Sequence, residues 1–272
     1  METPAGTSVS DEPGPSPGEV ASALEPPPEI TVVLPAHNEV MLIGSTVTNL
    51  VSGLERRGRA FEILVVENGS TDGTLRLARL LAAQLPHVRV LSLASGDYGE
   101  ALATGFRDAL GPLIVSFDVD YYDLSFFDAA LGLLDSGEAD LVLASKRAAG
   151  ARDRRPLLRR VLTAGFAAAL HRVVGIEVSD AHGMKVVSAS AVVPLIDKTV
   201  LRGSLFDVEL VLRASRAGLA VRELPAVVRE LRTPRTSVLR RTVECVIGLV
   251  RLRLLLGAGE WPEKRPPERP AS

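Results

Sequence analysis

Only one cysteine, Cys245, occurs in the 272 residues, so the chain has neither an internal disulfide framework nor a readable cysteine-based zinc site. A lone thiol with apolar neighbours is usually core, and its solitude fits a reducing, cytoplasmic compartment. Lys and Arg are absent from the first 28 residues, METPAGTSVSDEPGPSPGEVASALEPPP, which also lack the apolar stretch of a signal peptide. Pro, Gly and acidic residues are prominent there, and residues 1–28 are expected to form a disordered tail. The Pro-rich, charged end, residues 258–272, carries the same expectation and leaves one folded domain over 29–257.

An excess of either charge is missing too. With 31 Lys and Arg against 33 Asp and Glu, the net charge of −2 gives no global electrostatic case for binding nucleic acid. No apolar run approaches the roughly 18 residues needed to span a bilayer. The most hydrophobic helical stretch, SVLRRTVECVIGLVRLRLLLG, is broken by Arg240, Arg241, Glu244, Arg251 and Arg253. Its apolar side, Leu239, Val243, Ile247, Val250 and Leu254, suits packing on the domain or, alternatively, peripheral contact with anionic lipid at the cytoplasmic membrane face. Glycine fingerprints are also lacking. The spacing of Gly96, Gly99 and Gly105 in GDYGEALATGF matches neither GxGxxG nor a P-loop, which disfavours a nicotinamide enzyme or a P-loop ATPase.

What is present is 46% hydrophobic content, enough for a substantial core, arranged as strands alternating with helices. ITVVL (30–34), ended by Pro35, predicts a first strand, and apolar residues at helical spacing over 40–54 a first helix. FEILVV (61–66) and residues 72–85 repeat the pattern, with Asp72 as the expected cap. Further strands are predicted over 87–93, 112–118 and 140–145, with a helix over 99–110. This alternation implies an α/β fold with a mainly parallel sheet and helices on both faces. Ligands in such sheets sit beyond the carboxyl ends of the strands. PAHNE, ENGSTDGT, SGDYG and DVD all fall at those ends.

Each cluster has its own chemistry. PAHNE (35–39) sets a rigid residue and acceptor-bearing side chains where a base or ribose would lie, and Glu67 and Asn68 can hydrogen-bond a base edge. Asp118 and Asp120 stand two apart, on one side of the chain if it is still extended, where they repel each other unless a cation or donor satisfies them.

Taken in order, PAHNE, ENGSTDGT, GDYGEALATGF and FDVDYYD resemble the nucleotide-sugar half of a family 2 glycosyltransferase of GT-A fold. SKRAAG, RRPLLRRVLTAG, VSDAHGMKVV and LFDVELVLRASRAGLAVRELP resemble the acceptor half of polyprenyl-phosphate (dolichol-phosphate) mannosyl- and glucosyltransferases. The resemblance implies a three-layer, Rossmann-like GT-A architecture and a hexose donor linked to UDP or GDP. It implies Mg²⁺ or Mn²⁺ at Asp118 and Asp120, with Asp120 the more direct ligand and a catalytic residue. Donor contacts fall on Pro35, Ala36, Asn38, Glu39, Glu67, Asn68, Asp97, Gly99 and Asp118.

On the acceptor side the resemblance places Lys146, Arg147, Arg159, Thr163, His182 and Lys185. Lys146, Arg147, Arg152, Arg154, Arg155, Arg159 and Arg160 form a dense cationic stretch that suits a phosphorylated, lipid-phosphate acceptor, since guanidinium groups bind phosphate bidentately. An ionised phosphate needs no strong general base. A hydroxyl acceptor on a soluble molecule needs one, and Asp180 is then the candidate. A degenerate domain that binds sugar nucleotides without turnover is the non-enzymatic alternative. Two motifs depart from the family pattern: Glu67–Asn68 stands where Asp-Asp is frequent, and DAHGMK where Gly-Phe-Arg or Gly-Phe-Lys is.

Overall fold

The apolar run ITVVLPA forms strand β1 (Ile30–Ala36), buried along its whole length between two parallel neighbours. On one side lies β2 (Phe61–Asn68), followed outward by β3 (Val88–Leu93), and on the other β4 (Leu113–Ser116). Strands covered on both faces read as continuous apolar runs rather than alternating ones, and that is how these segments are written. This computed structural model describes residues 26–146, 148, 152–153, 165, 171–172, 183–203, 205–228, 248, 251 and 254.

Beyond β4 the sheet continues through β7 (Lys185–Ser188), β5 (Leu141–Ser145) and β8 (Val221–Pro225), giving the order β3-β2-β1-β4-β7-β5-β8. Strand β7 is antiparallel to both of its neighbours, and the other pairings are parallel. A small second sheet pairs β6 (Arg152–Asp153) with β9 (Val227–Val228). The expected mainly parallel sheet is therefore present. Its antiparallel member comes from the second half of the chain, and it brings Lys185 level with Ser116 of β4, at the carboxyl edge.

Helices cover both faces, completing three layers. Helices α1 (Ile43–Glu55), α2 (Thr74–Gln84) and α4 (Leu124–Asp135) pack on Val32, Leu34, Ile63, Val65, Val115 and Val142. On the other face α3 (Tyr98–Arg107), α5 (Ala189–Ile196) and α6 (Leu205–Arg216) pack on Val33, Leu64, Val66, Ile114, Leu141 and Leu143. Successive strand residues thus feed opposite cores, as the two-residue strand period requires. Each large apolar side chain so buried contributes about 1.5–3 kcal/mol. Helix α3 lies unusually close to the sheet, because a Cβ on Gly105 would stand 2.4 Å from Val33 Cγ1.

Polar groups at the amino end of the sheet are fully employed. Glu62, 0% exposed, accepts bonds from Thr31 Oγ1 (2.6 Å) and the Leu110 amide (2.8 Å) at Oε1, and from Arg89 Nη1 (2.7 Å) at Oε2. Pro28 is buried and Glu29 pairs with Arg59 at 2.9 Å, so ordered packing already includes Pro28, one residue inside the expected tail. No described helix is long and apolar enough to cross a membrane. Of the basic, apolar helix near the end of the chain, the described residues are helical: Gly248 is buried against Leu205, Arg251 is exposed and Leu254 is 69% exposed.

Candidate active site

The loops at the carboxyl ends of β1, β2 and β3 are tied to one another. Pro35 and Ala36 lie inside β1, paired in register with Val66 and Glu67, so the strand runs through the proline instead of stopping at it. Asn38 is the only described non-glycine residue with positive φ, 55°, a conformation that Asn tolerates better than most residues. In that turn its amide donates to Ser70 Oγ (2.9 Å) and its Oδ1 accepts from the Thr71 amide (2.8 Å). The Glu39 amide donates to Thr74 Oγ1 (2.8 Å). Asp72 completes the closure, accepting from the Val40 amide (3.3 Å) and from the amide and hydroxyl of Thr74 (3.1 and 2.5 Å). Burial raises the Asp72 carboxyl, but the Thr74 and backbone bonds outweigh it, and the group ends below its ordinary pKa.

His37 joins all three loops. Its Nδ1 lies 2.5 Å from the Asn68 carbonyl, which only accepts, so Nδ1 carries the proton and Nε2 faces Asn38 Nδ2 at 3.1 Å. The ring also stands over Gly96, where a Cβ would come within 3.1 Å of His37 Cε1. Sequence reading singled out PAHNE but assigned nothing to this histidine.

Glu67 and Asn68, the expected readers of the base, are 2% and 4% exposed and hold the protein's own backbone. Glu67 accepts from the Ser70 amide (2.5 Å) and Ser92 Oγ (2.8 Å). Asn68 Oδ1 accepts from the Asp97 amide (2.7 Å). Asp97 in turn caps α3, its Oδ1 accepting from the Glu100 amide (3.0 Å) and from the Gly203 amide (2.9 Å). Gly99 is buried where α6 arrives: a Cβ there would stand 2.7 Å from Phe206 Cβ and 2.9 Å from the Gly203 backbone. These residues shape and brace the loops at the carboxyl edge of the sheet.

The two acids do not continue the strand. β4 ends at Ser116, and Asp118 and Tyr121 exchange both backbone bonds at 3.1 Å, closing a tight turn with Val119 and Asp120 at its tip. Thr46 Oγ1 of α1 pins the turn by donating to the Val119 carbonyl (2.7 Å), which leaves Asp120 exposed. Extended-strand alternation is therefore not what brings the acids together; the turn is.

Around Asp118 both halves of the chain supply chemistry. Tyr98, the first residue of α3, donates its hydroxyl to Asp118 Oδ1 at 3.1 Å. Lys185, assigned from the sequence to the acceptor, is instead 0% exposed: its Nζ donates to the Gly183 carbonyl (2.9 Å) and lies 3.0 Å from Asp207 Oδ1. Asp207 is 1% exposed, and the contact with Lys185 is an ion pair without hydrogen-bond geometry. Burial lifts the Asp118 carboxyl from 3.8 to about 6; the Lys185 charge opposes this, Asp120 adds to it, the Tyr98 bond opposes and Asp207 adds. Burial, then the charges of Asp118 and Asp207, hold the Tyr98 phenol well above its ordinary value, so it remains a donor. Tyr98 and Asp207 were missed from the sequence. A carboxylate inside the apolar run LFDVELVL was the available signal for the latter.

Lys146 is half-buried at the end of β5. Arg147, Arg159, Thr163, Asp180 and His182 lie outside the described residues.

The family model for glycosyl transferase family 2 matches residues 31–188, more than half of the chain. The chain belongs to this family. Over 204 residues it is 32% identical to the glycosyltransferase AglD of Haloferax volcanii, a match spanning 72% of this chain and 32% of that longer protein. It is 26% identical to dolichyl-phosphate beta-glucosyltransferase ALG5C of Trichomonas vaginalis, across 96% of this chain and 82% of that one. In structure it is similar to glucosyl-3-phosphoglycerate synthase of Mycobacterium tuberculosis crystallised with UDP, with a TM-score of 0.62 and 22% identity over 90% of this chain and 86% of that one. This likeness assigns the family's GT-A fold to the three layers described above.

Proposed function

We propose that this family 2 chain transfers a hexose from a UDP- or GDP-linked sugar to a phosphorylated acceptor, polyprenyl phosphate foremost, with Mg²⁺ or Mn²⁺ held at Asp118 and Asp120. The observation that carries this reading is the turn closed by Asp118 and Tyr121, which sets two carboxylates at the carboxyl edge of β4. Hard divalent cations take oxygen ligands, and Asp118 and Asp120 supply them. When bound, such a cation offsets negative charge growing on the departing nucleoside diphosphate.

The chain's own residues do the rest. Asn68, Asp97 and His37 fasten the three loops that shape the donor pocket, and Tyr98 holds Asp118. Lys146, Arg147, Arg159, Thr163 and His182 grip the acceptor phosphate, whose ionised oxygen attacks the anomeric carbon opposite the leaving group without a strong base, inverting its configuration. The dolichyl-phosphate acceptor that ALG5C is named for supports the acceptor class, and a second structure of the mycobacterial synthase, with Mn²⁺, UDP and phosphoglyceric acid, supports the cation and donor classes (TM-score 0.59, 21% identity). The exposed Arg251 and Leu254 support peripheral contact with a membrane that carries the acceptor.

The test is transfer from a panel of UDP- and GDP-hexoses, in Mn²⁺, to a short-chain polyprenyl phosphate and to its dephosphorylated analogue. Transfer to the phosphate alone is expected. Equal use of both acceptors overturns the acceptor assignment, and transfer from no donor overturns the enzymatic reading.

A further inference from the structure

Two carboxylates of this fold, buried Glu62 and half-buried Asp118, are held differently. Both oxygens of Glu62 are matched by donors, so it asks for nothing more. Asp118 is different: Oδ1 takes the Tyr98 hydroxyl, and among the described residues no donor meets Oδ2. A phenol has a single proton to give, and nearby Asp207, whose buried oxygens accept no hydrogen bond, is a second acceptor of the same charge. The bond from Tyr98 goes to Asp118 all the same, so something must decide where that hydroxyl points.

Tyr98 is gripped on both sides in sequence. Before it, Asp97 Oδ1 receives the Gly203 amide at 2.9 Å while capping α3. After it, Gly99 meets the backbone of Gly203 and Cβ of Phe206 so closely that no side chain fits between them. Gly203 itself holds φ +59°, a conformation natural to glycine. Gly203 and Phe206 therefore clamp the first turn of α3, from which Tyr98 reaches Asp118.

We propose that Tyr98 is a positioning residue for the metal-binding carboxylate: its hydroxyl holds Asp118 Oδ1, turning Oδ2 toward the cation beside Asp120, and the Gly203–Phe206 segment holds Tyr98. This rests on the metal reading of Asp118 and Asp120. Removing a hydrogen bond that orients a ligating side chain typically costs 10–100-fold in metal affinity. The arrangement also links the two halves of the chain, since a residue of the donor half is aimed by a segment of the acceptor half.

The experiment is Mn²⁺ titration of the full chain by electron paramagnetic resonance, without substrate, for wild type, Tyr98→Phe and Asp120→Ala, with thermal melts in EDTA. Tyr98→Phe is expected to raise the Mn²⁺ dissociation constant about tenfold while its metal-free melting temperature stays close to wild type. Wild-type affinity in Tyr98→Phe, with binding lost in Asp120→Ala, overturns the role of Tyr98 and leaves the metal reading standing. Absence of Mn²⁺ binding by wild type both alone and with UDP or GDP present overturns both. Should Tyr98→Phe fail to fold, Gly99→Ala keeps the hydroxyl but pushes Phe206 and Gly203 away. Weakened Mn²⁺ binding there supports the clamp, and undiminished affinity overturns it.

Discussion

Lys185 Nζ and Asp207 Oδ1 lie 3.0 Å apart, with the two side chains 0% and 1% exposed. The lysine comes from the antiparallel strand β7 and the aspartate from α6, so the pair joins two elements of the second half directly behind the acidic turn. Charges buried this deeply stay paired, because removing one partner leaves the other stranded in a poorly solvating interior. Lys185→Met is expected to cost about 3–5 kcal/mol, and Lys185→Met with Asp207→Leu to recover most of it. Urea unfolding of the three proteins measures this; a double variant as unstable as the single one contradicts the pairing.

A stability cost that appears only at neutral pH is expected from Asp118. Its pKa of about 6 lies above the value of 3.8 it has when exposed, so the folded state binds the extra proton between those values. Stability therefore falls as pH rises through this window, and above about pH 6 the charged group costs at most about 3 kcal/mol. Without metal, Asp118→Asn should be more stable than wild type near pH 7.5 and equal to it near pH 4. Melts in EDTA at both values decide; a difference independent of pH rules out the buried charge as its cause.

Helix α3 carries Tyr98 and lies against β1 and β2 only because residue 105 lacks a side chain. Gly105→Ala forces a methyl to 2.4 Å from Val33 Cγ1. Overpacking of this kind costs about 1–3 kcal/mol. Denaturant unfolding should show that loss, and an unchanged midpoint would mean that α3 can retreat without penalty.

Much of this architecture was legible because its signals are local. Continuous β-branched runs such as ITVVL and FEILVV, each followed by helical spacing, are what doubly covered parallel strands require. The acidic pair was visible for the same reason, since Asp118 and Asp120 are neighbours in sequence. Long-range choices were not. That β7 inserts antiparallel between β4 and β5, that Lys185 pairs with Asp207, and that Tyr98 reaches Asp118 all depend on contacts across 20 or more residues. Glu67 and Asn68 carry bonds that the sequence did not show. Their side chains suit a base edge, yet the Gly69 turn, at φ +62°, folds back and leaves them bonded to Ser70, Ser92 and Asp97.

For the acceptor, the grip proposed for Arg159 distinguishes phosphate recognition from recognition of a neutral hydroxyl. Arg159→Lys keeps charge but loses the planar fork, and Arg159→Ala loses both, so affinity for a polyprenyl phosphate should fall in that order. Charge-assisted bonds contribute roughly 1.5–3 kcal/mol, so the alanine variant should weaken acceptor binding by about one to two orders of magnitude while donor binding barely moves. Titration with a short-chain polyprenyl phosphate and its dephosphorylated analogue checks this; equal impairment on both acceptors rejects phosphate recognition.

The proposed transfer requires that the turn closed by Asp118 and Tyr121 hold a divalent cation that carries the donor's diphosphate. Calorimetric titration of UDP and GDP into wild type and Asp120→Ala, each with Mn²⁺ and with EDTA, tests it most directly. Asp120 is exposed at the tip of the turn, so its removal should leave the fold intact. Nucleotide binding by wild type is expected to require Mn²⁺ and to be lost in Asp120→Ala, with both proteins alike in EDTA. Nucleotide affinity in Mn²⁺ that is the same for the two proteins would contradict it.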